Sequence, residues 1–322
     1  MTPMLALIKK EITDALKNKL FLIILGMLLL LTIVSVVLGS YQVRINMDTY
    51  NQSVSFLKSL GKTEFPDAPN LNPLSSSKSF VNYIGLLGAL LAIVLGNAAV
   101  VKEKRNGTLK LILSRQIFRD TFLNGKILGN MILLFFITLL TSIITLGSVA
   151  IISTVSLSAG DISRMFVFFF MSFLYMAFFL ILGIFMSVLM PNGNKALLIT
   201  VIIWLVISFI LPQIGDTMDM DNQLPGGFFS SMGMNKEDTQ KILDHFKIYE
   251  TIRDSIEQMS PTKHYERVGF ALLNIKPGFD KNTVLEVVLM KWIDVLGLLA
   301  PSIILWLCSY MVFLKRENIY QE

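Results

Sequence analysis

Uncharged, apolar stretches alternate with short charged segments along most of the chain. Six stretches of twenty residues or more contain no Asp, Glu, Lys or Arg: Leu20–Val43, Ser79–Val101, Ile127–Gly160, Met165–Asn194, Ala196–Gly215 and Val295–Leu314. About twenty residues of α-helix, rising about 1.5 Å each, cross the hydrocarbon of a bilayer. Each stretch therefore predicts a membrane-spanning helix. The third is the longest, so we expect a helix and then a Ser- and Gly-rich turn, with re-entrant backbone as an alternative.

Composition indicates the same class of protein. Of 322 residues, 53% are hydrophobic and 16% are charged, and the mean hydropathy is +0.64. Soluble proteins carry about 25% charged residues, so a water-soluble core is a poor explanation. The first apolar run begins only at Leu20 and has no A-x-A-like site behind it, so we expect no cleavable signal peptide. The predicted fold class is an all-α integral membrane protein with six transmembrane helices.

The charge distribution predicts the orientation. An even number of spans places both termini on one side of the membrane. The segments on that side hold fourteen basic and six acidic residues, whereas the alternate segments hold fourteen basic and seventeen acidic residues over far more chain. Lys and Arg are concentrated in cytoplasmic loops. We therefore expect both termini in the cytoplasm (N-in, C-in) and the protein in the cytoplasmic (plasma) membrane.

The spans divide the chain into four parts and two notable loops. The parts are 1–19 before the first span, 20–215 with spans one to five, 216–290 as an extracellular insert, and 291–322 with the last span and a cytoplasmic tail. The external loop 44–78 is polar and holds Pro66, Pro69 and Pro73, so it is predicted to be mostly irregular. The second loop, at 102–126, is cytoplasmic.

The insert is predicted to be small and helical. Asn235 is a candidate N-cap for an amphipathic helix, and proline at 261 would end that helix. Its apolar positions recur at spacings of three and four: Ile242, Phe246, Tyr249, Ile252, Ile256 and Met259. Residues 260–279 then return the chain toward the last span. The insert either packs on the spans as a cap or forms a lid or docking surface.

Catalytic motifs are absent from the sequence. A Walker loop needs G-x-x-x-x-G-K-[ST], but the run Gly61–Lys62–Thr63 has Phe56 where the first glycine belongs. No Gly-x-Ser-x-Gly, HExxH or paired intramembrane carboxylate appears. His245, His264 and the single Cys308 form no recognisable metal or disulfide pattern. The chain is therefore predicted not to be an enzyme and to hold no cofactor of its own, and an intramembrane enzyme is disfavoured.

Polar residues inside the predicted spans are few. Asn82, Asn97 and Asn130 are the strongest polar groups near membrane depth. We expect them to form helix–helix hydrogen bonds or to lie at helix ends, because such contacts are commoner than substrate ligands.

The 102–126 loop holds a concentration of positive charge. Residues 101–126 contain seven basic and two acidic residues, a net charge of +5 that equals the net charge of the whole chain. Within it, 108–122 predicts a short helix with Leu109, Ile112 and Leu113 on its apolar face. Two interpretations stay open from periodicity: an interfacial helix on acidic lipid headgroups, or a lever gripped by a soluble motor protein.

The amino-terminal segment predicts a helix that lies in the membrane interface and contacts lipid. Met4, Leu5, Ile8, Ile12 and Leu16 form an apolar stripe, and the lysines at 9, 10, 17 and 19 can reach headgroup depth.

Three segments resemble a known family. LGNAAVVKEKRNGTLKLILSRQIFRDTFLNGKILG (95–129) looks like the signature of type-2 ABC export permeases. The matching positions are Gly96, Glu103, Gly107, Thr108, Leu109, Leu111, Leu113, Ser114, Arg119, Gly125, Lys126 and Gly129. KKEITDALKNKLFLI (9–23) and SPTKHYERV (260–268) are similar to the family's amino-terminal helix and to the segment before its last helix. Gln116 stands where relatives often have proline, and the most similar branch is that of the nitrous-oxide-reductase copper-maturation permeases.

The resemblance implies a permease subunit that a separate ATPase drives. The positions implied to couple to that ATPase are Glu103, Arg105, Gly107, Thr108, Leu109, Leu113, Ser114, Arg115 and Arg119. In the amino-terminal helix they are Lys9, Glu11, Asp14 and Lys17. A soluble ABC ATPase dimer would bind ATP and Mg, and the other partners would be lipid and a second permease copy or a sister permease, with no nucleic acid. The alternative function is an ATP-independent membrane scaffold or receptor that acts through the extracellular insert.

Overall fold

A computed structural model describes residues 3–62, 72, 74, 77–105, 107, 119–153, 156–219, 221, 228–275, 278–279 and 281–315. Over these residues the regular elements are helices, with no strand among them. Helix α1 (Pro3–Leu16) comes first. Six further helices are long and apolar enough to cross a membrane, which confirms the predicted number of spans: α2 (Lys19–Ser59), α3 (Lys78–Arg105), α4 (Arg119–Ile152), α5 (Ala159–Leu189), α6 (Gly193–Met218) and α12 (Trp292–Lys315).

Helix α2 is much longer than predicted. The loop prediction for 44–78 is wrong for residues 44–59, which continue the first span as helix. This part of α2 contains no proline and no glycine, and the helix ends at Leu60 and Gly61, where Gly61 has a φ of 74°. The prolines at 66, 69 and 73 follow that end and lie outside the described residues. None of residues 44–59 is buried.

The long third stretch divides between two helices. Helix α4 is continuous to Ile152, and α5 begins at Ala159 behind a capping box in which Ser158 and Asp161 bond each other's backbone N–H groups. The predicted helix and turn are therefore confirmed. Helix α4 also begins earlier than predicted, at Arg119, so Lys126 belongs to a helix and not to a loop.

Helix α5 lies at the centre of the bundle. It contacts α3, α4, α6 and α12, and its side chains are buried along most of its length. Helices α3 and α5 cross closely at two glycines. A Cβ atom on Gly96 would lie 2.2 Å from the carbonyl oxygen of Leu180, and one on Gly183 would lie 2.8 Å from the carbonyl oxygen of Ile93. Such small residues allow the backbones of membrane helices to touch.

The insert contains short helices: α7 (Phe228–Ser231), α8 (Lys236–His245), α9 (Lys247–Gln258), α10 (Pro261–Leu272) and α11 (Val284–Met290). Asn235 caps α8 as predicted, by accepting a bond from the Asp238 N–H. The prediction of a single amphipathic helix over this region is wrong, because the helix is interrupted at Phe246.

The predicted apolar stripe of the insert does not face the bundle. Ile252 and Met259 are exposed, whereas Glu250, Arg253 and Glu257 of α9 face the end of α6. Arg253 pairs with Asp219 at 3.6 Å and with Glu250 at 2.8 Å. Paired charges therefore replace apolar contacts at this junction, a pattern that helical spacing alone does not predict.

Helix α10 is buried among the spans, which the sequence analysis did not predict. It packs on α5 and α12 and meets two π-helical turns, Ile84–Gly88 in α3 and Val206–Ile210 in α6. Hydroxyl groups bond both turns. Tyr175 donates to the carbonyl oxygen of Gly85 at 2.9 Å, and Ser260 donates to that of Ile207 at 2.5 Å. A π turn changes the hydrogen-bond register of a helix. Here a carbonyl oxygen of one turn accepts a bond from α5, and one of the other turn accepts a bond from the start of α10.

Candidate functional site

Six helix ends meet at one end of the bundle. Lys102 of α3 pairs with Asp14 of α1 at 2.8 Å, and Arg119 of α4 donates to the carbonyl oxygen of Leu314 of α12 at 3.1 Å. Lys104 reaches the turn that joins α5 to α6. We call this the basic end, since lysine and arginine make these contacts. It also contains Arg105 and Arg119, the last residue of α3 and the first of α4.

A buried lysine lies at the centre of the basic end. The side chain of Lys126, in the second turn of α4, is 1% exposed. Its Nζ donates to Glu11 Oε1 of α1 at 2.5 Å and to Glu103 Oε1 of α3 at 3.3 Å. A buried charge without partners costs several kcal/mol, so the lysine and its two carboxylates depend on one another.

Two further side chains complete the arrangement. Lys10 of α1 pairs with Glu103, and Asn130 Nδ2 donates to Glu11 Oε2 at 3.2 Å. We call Lys10, Glu11, Glu103, Lys126 and Asn130 the ion cluster. Its two positive and two negative charges balance. The cluster joins α1, α3 and α4, and of these helices α3 ends at Arg105 and α4 begins at Arg119.

Two glycines bring α1 against α4. A Cβ atom on Gly125 would lie 3.1 Å from the Cβ of Leu7. On Gly129 it would lie 3.0 Å from the Cβ of Glu11 and 3.2 Å from the Cα of Ile8. The run Gly125–Lys126–x–x–Gly129 therefore places two contact glycines on either side of the buried lysine. Close approach lets the Glu11 carboxylate reach the lysine.

The face of α1 that packs on the protein differs from the predicted stripe. Leu7, Glu11 and Ala15 are buried, at a spacing of four residues. Leu5 and Leu16, from the predicted stripe, are exposed, as the interfacial prediction requires, and so are Lys9 and Lys17. Interfacial placement itself stays a prediction.

The other predicted coupling residues are dispersed. Arg105 is exposed at the last position of α3, and Gly107 has a φ of 65°, a conformation that favours glycine. Thr108, Leu109, Leu113, Ser114 and Arg115, with the rest of the predicted 108–122 helix up to residue 118, lie outside the described residues. Residues 119–122 begin α4. Glu103, Glu11 and Asp14 are brought together around Lys10, Lys102 and Lys126.

Sequence reasoning missed the buried position of Lys126 and the contacts of Lys10 and Lys104. The uncharged stretch starts only at Ile127, so its boundary predicts that Lys126 lies in a loop. The helical spacing of Phe122, Gly125, Lys126 and Gly129 could have indicated a buried face. The prediction for Asn97 is confirmed: its Nδ2 donates to Ser187 Oγ at 3.0 Å, between α3 and α5. Asn130 likewise bonds another helix, α1.

A second buried polar group lies at the opposite end, in α10. The two ring nitrogens of His264 lie 2.9 Å from Asp294 Oδ1 and 2.9 Å from the carbonyl oxygen of Gln258. Burial raises the pKa of the Glu266 carboxyl, and the nearby positive charge of Lys263 opposes this. Burial lowers the pKa of Lys263, but its bond to Asp216 and the charge of Glu266 outweigh burial and raise that pKa above its ordinary value.

In both polar groups the side chains pair with one another. In the described part of the chain no three His, Cys, Asp or Glu side chains are arranged to hold a metal ion. The ion cluster contains carboxylates that lysines neutralise, and it lacks a nucleophile with an adjacent base. The arrangement can instead fix helix ends to one another.

A comparison with protein families decides what these helices belong to. The model of the family described as ABC-2 family transporter protein matches residues 5–318, nearly the whole chain. The chain belongs to the ABC-2 transporter family. No curated protein matches the chain. ABC-2 proteins are membrane subunits of ABC transporters and generally work with a partner ATPase. The chain is thus a multi-pass ABC-2 permease, a membrane subunit of an ABC transporter.

Proposed function

We propose that this ABC-2 permease is the membrane subunit of an exporter and that its ATPase drives it through residues 102–126. The observation that supports the proposal best is the ion cluster. Glu103 lies near the start of this segment and Lys126 at its end, and both contact α1, since Glu11 and Lys10 pair with them. A partner that pushes this segment would displace three connected helices.

Described residues near both ends of the segment are anchored in the bundle. Protein interiors are close-packed and transmit strain, whereas a loop that is free at its base would absorb displacement. Here the described residues on both sides are held: Glu103 is 2% exposed, and Arg119 bonds the end of α12. We propose that the predicted 108–122 helix is the lever and that Arg105, Gly107 and Arg115 lie at its contact with the ATPase.

The remaining partners follow from the family. A soluble ABC ATPase dimer would bind ATP and Mg, and two permeases, either two copies or a copy and a sister, would form the route for the cargo. Under the positive-inside rule the basic end faces the cytoplasm, with both termini, and α8 and α9 lie outside the cell. The export direction and the copper-maturation branch are supported only by the resemblance of the 95–129 signature.

The alternative is a scaffold or receptor without a motor. It is favoured by the exposed apolar side chains of the insert, since Ile248 is 80% exposed and Met259 is 68% exposed. In this alternative the insert binds a partner protein, and the ion cluster serves stability alone.

Purification from native membranes in mild detergent separates the two. The exporter requires an ATP-hydrolysing subunit in fixed stoichiometry, with a hydrolysis rate that changes when the permease is bound. Gly107→Pro should abolish this stimulation while membrane insertion is retained, because proline cannot adopt a φ of 65°. Gly61→Pro is the matched control: Gly61 has a φ of 74° at the end of α2 and, like Gly107, has no neighbour that a Cβ would touch.

Glu103→Gln tests the cluster in the same assay. It keeps the shape of the side chain but removes the charge that Lys10 and Lys126 share, so coupled hydrolysis should fall at least tenfold. Lys102→Gln, at the preceding position, should have little effect on coupled hydrolysis. A permease that purifies without any ATPase, or full coupling in both Gly107→Pro and Glu103→Gln, would contradict the proposed function and favour the scaffold.

A further inference from the structure

The end of α3 is held on two sides by successive residues. Glu103 belongs to the ion cluster and thus to α1 and α4. Lys104 points to the opposite part of the bundle, where its Nζ donates to the carbonyl oxygens of Ser187 at 2.7 Å and Met190 at 3.0 Å. Adjacent residues of a helix project about 100° apart, so one helix end can serve two partners.

The contact of Lys104 is with the end of α5. The last carbonyl groups of a helix have no intrahelical partners and carry partial negative charge, so a lysine there is stabilising. Ser187 lies in the last turn of α5, and Met190 directly follows the helix. Lys104 therefore caps α5 from a neighbouring helix, a contact that sequence spacing does not reveal.

Two other residues of α3 continue the same contact. Asn97 donates to Ser187 Oγ at 3.0 Å and to the carbonyl oxygen of Gly193 at 3.4 Å. Val101 packs so closely on Gly193 that a Cβ there would lie 2.1 Å from Val101 Cγ1. Residues 97, 101 and 104 have the spacing of one helix face. This face holds the turn between α5 and α6.

We propose that Lys104 is a positioning residue that carries displacement from the 102–126 segment to the α5–α6 turn. The inference rests on the proposed function, because the displacement comes from the ATPase. Glu103 and Lys104 together would divide the movement: the ion cluster passes it to α1 and α4, and Lys104 passes it to the central helix α5. Helix α5 also contacts α6, α10 and α12. Displacement of its end would therefore move these helices as well.

Distance measurements between spin labels test this in the complex with the ATPase that co-purifies. Cys308→Ala removes the native thiol. Labels at Lys102 and Leu128, both exposed, report the end of α3 relative to α4, and labels at Lys195 and Leu128 report the start of α6 relative to α4. In the otherwise unchanged protein, both distances should change when a non-hydrolysable ATP analogue is added.

Three substitutions identify the role of Lys104. In Lys104→Gln, nucleotide should still change the distance between α3 and α4. The change in the distance between α6 and α4 should fall to less than half of that in the otherwise unchanged protein, and coupled hydrolysis should be reduced. Lys104→Arg keeps a donor and should restore the second change. Lys241→Gln, which loses only an exposed pair with Asp238 in the insert, should keep both.

The outcomes separate the two hypotheses. If the first distance is unchanged by nucleotide in the otherwise unchanged protein, the proposed function fails and the inference with it. If Lys104→Gln keeps the full second change, Lys104 carries nothing and the inference alone fails. It also fails if Lys104→Gln abolishes both changes, because Lys104 would then only hold α3 in place.

Discussion

Lys126 Nζ lies 2.5 Å from Glu11 Oε1, although the two residues are 115 positions apart in the chain. The contact closes the amino-terminal helix onto the third span and draws Glu103 into the same buried site. Under the proposed function, movement of an ATPase would enter the bundle at this site.

Loss of the buried lysine should release α1. Lys126→Met leaves Glu11 and Glu103 buried with one positive partner fewer, and breaking a buried ion pair costs about 3–5 kcal/mol. We expect a lower Tm and faster tryptic cleavage at Lys9 and Lys17. Lys102→Met is the control, because the Lys102 side chain is 46% exposed and such pairs contribute about 1 kcal/mol or less.

A double-mutant cycle isolates the pair itself. Removing Glu11 with Lys126, as in Glu11→Met/Lys126→Met, should cost less than the sum of the single losses, since neither charge is then left alone. Strict additivity would show that the two side chains do not interact as described.

The contact glycines of α4 should differ in tolerance. A Cβ on Gly129 would meet the Cα of Ile8 at 3.2 Å and its carbonyl oxygen at 3.3 Å, backbone atoms that move only with the helix. On Gly125 the three nearest atoms all belong to the Leu7 side chain, at 3.1 Å or more, and none of them is backbone. We expect Tm to fall more in Gly129→Ala than in Gly125→Ala.

Gly147→Ala is the control for these two variants. It lies on the same helix with nothing within 4 Å of its Cβ position, and it should gain up to about 1 kcal/mol from helix propensity. A Gly129→Ala protein as stable as Gly147→Ala would disprove the close approach of α1.

The hydroxyl of Tyr175 should be needed to hold α10. Tyr175→Phe removes the bond that the hydroxyl donates to the carbonyl oxygen of Gly85 and a 3.1 Å contact with Thr262, whose hydroxyl is buried. A buried unsatisfied group costs about 1–3 kcal/mol. Amide hydrogen exchange should accelerate over residues 262–272. Tyr41→Phe, at an exposed position of α2, should leave exchange unchanged, and equal exchange in both variants would refute the prediction.

Stability should depend on pH through Glu266. Burial raises the pKa of its carboxyl above 4.5, the ordinary value, so the folded state holds this proton more tightly than the unfolded state. The resulting stabilisation is complete below pH 4.5 and is lost as pH rises through the folded pKa. The Tm difference between Glu266→Gln and the unchanged protein should therefore become more positive from pH 4 to pH 7.5.

The exposed Glu237→Gln is the control for the pH series. A Tm difference for Glu266→Gln that is constant across the series, or that declines with pH, would show that folding does not raise the pKa of this carboxyl.

The spans could be predicted from sequence because each depends on local composition. A run of twenty uncharged residues must either cross a bilayer or be buried, and all six runs became long helices. The true length of α2 was missed for a different reason. Its residues 44–59 are polar, and polarity was equated with irregular structure, although the segment contains no residue that breaks a helix.

The candidate site could be predicted only in part. The resemblance of the 95–129 signature pointed to Glu103 and to the Gly–Lys step, but not to what they contact. Lys10 and Glu103 are 93 positions apart, and their pairing depends on how α1 folds back on α4. The burial of α10 could not be predicted from the sequence either. It depends on π turns in two spans that are distant in the chain, whose carbonyl oxygens accept hydroxyl groups from residues in and beside α10.

The length of α2 has a practical consequence. Its 41 residues extend about 60 Å, and a bilayer's hydrocarbon is about 30 Å thick. The end of α2 should therefore project as a rigid rod beyond a detergent micelle or nanodisc. For a 36.2 kDa protein that would otherwise be an indistinct particle in electron microscopy, this rod is a natural fiducial, and its exposed tip is a place to graft an antibody epitope without touching the transport machinery.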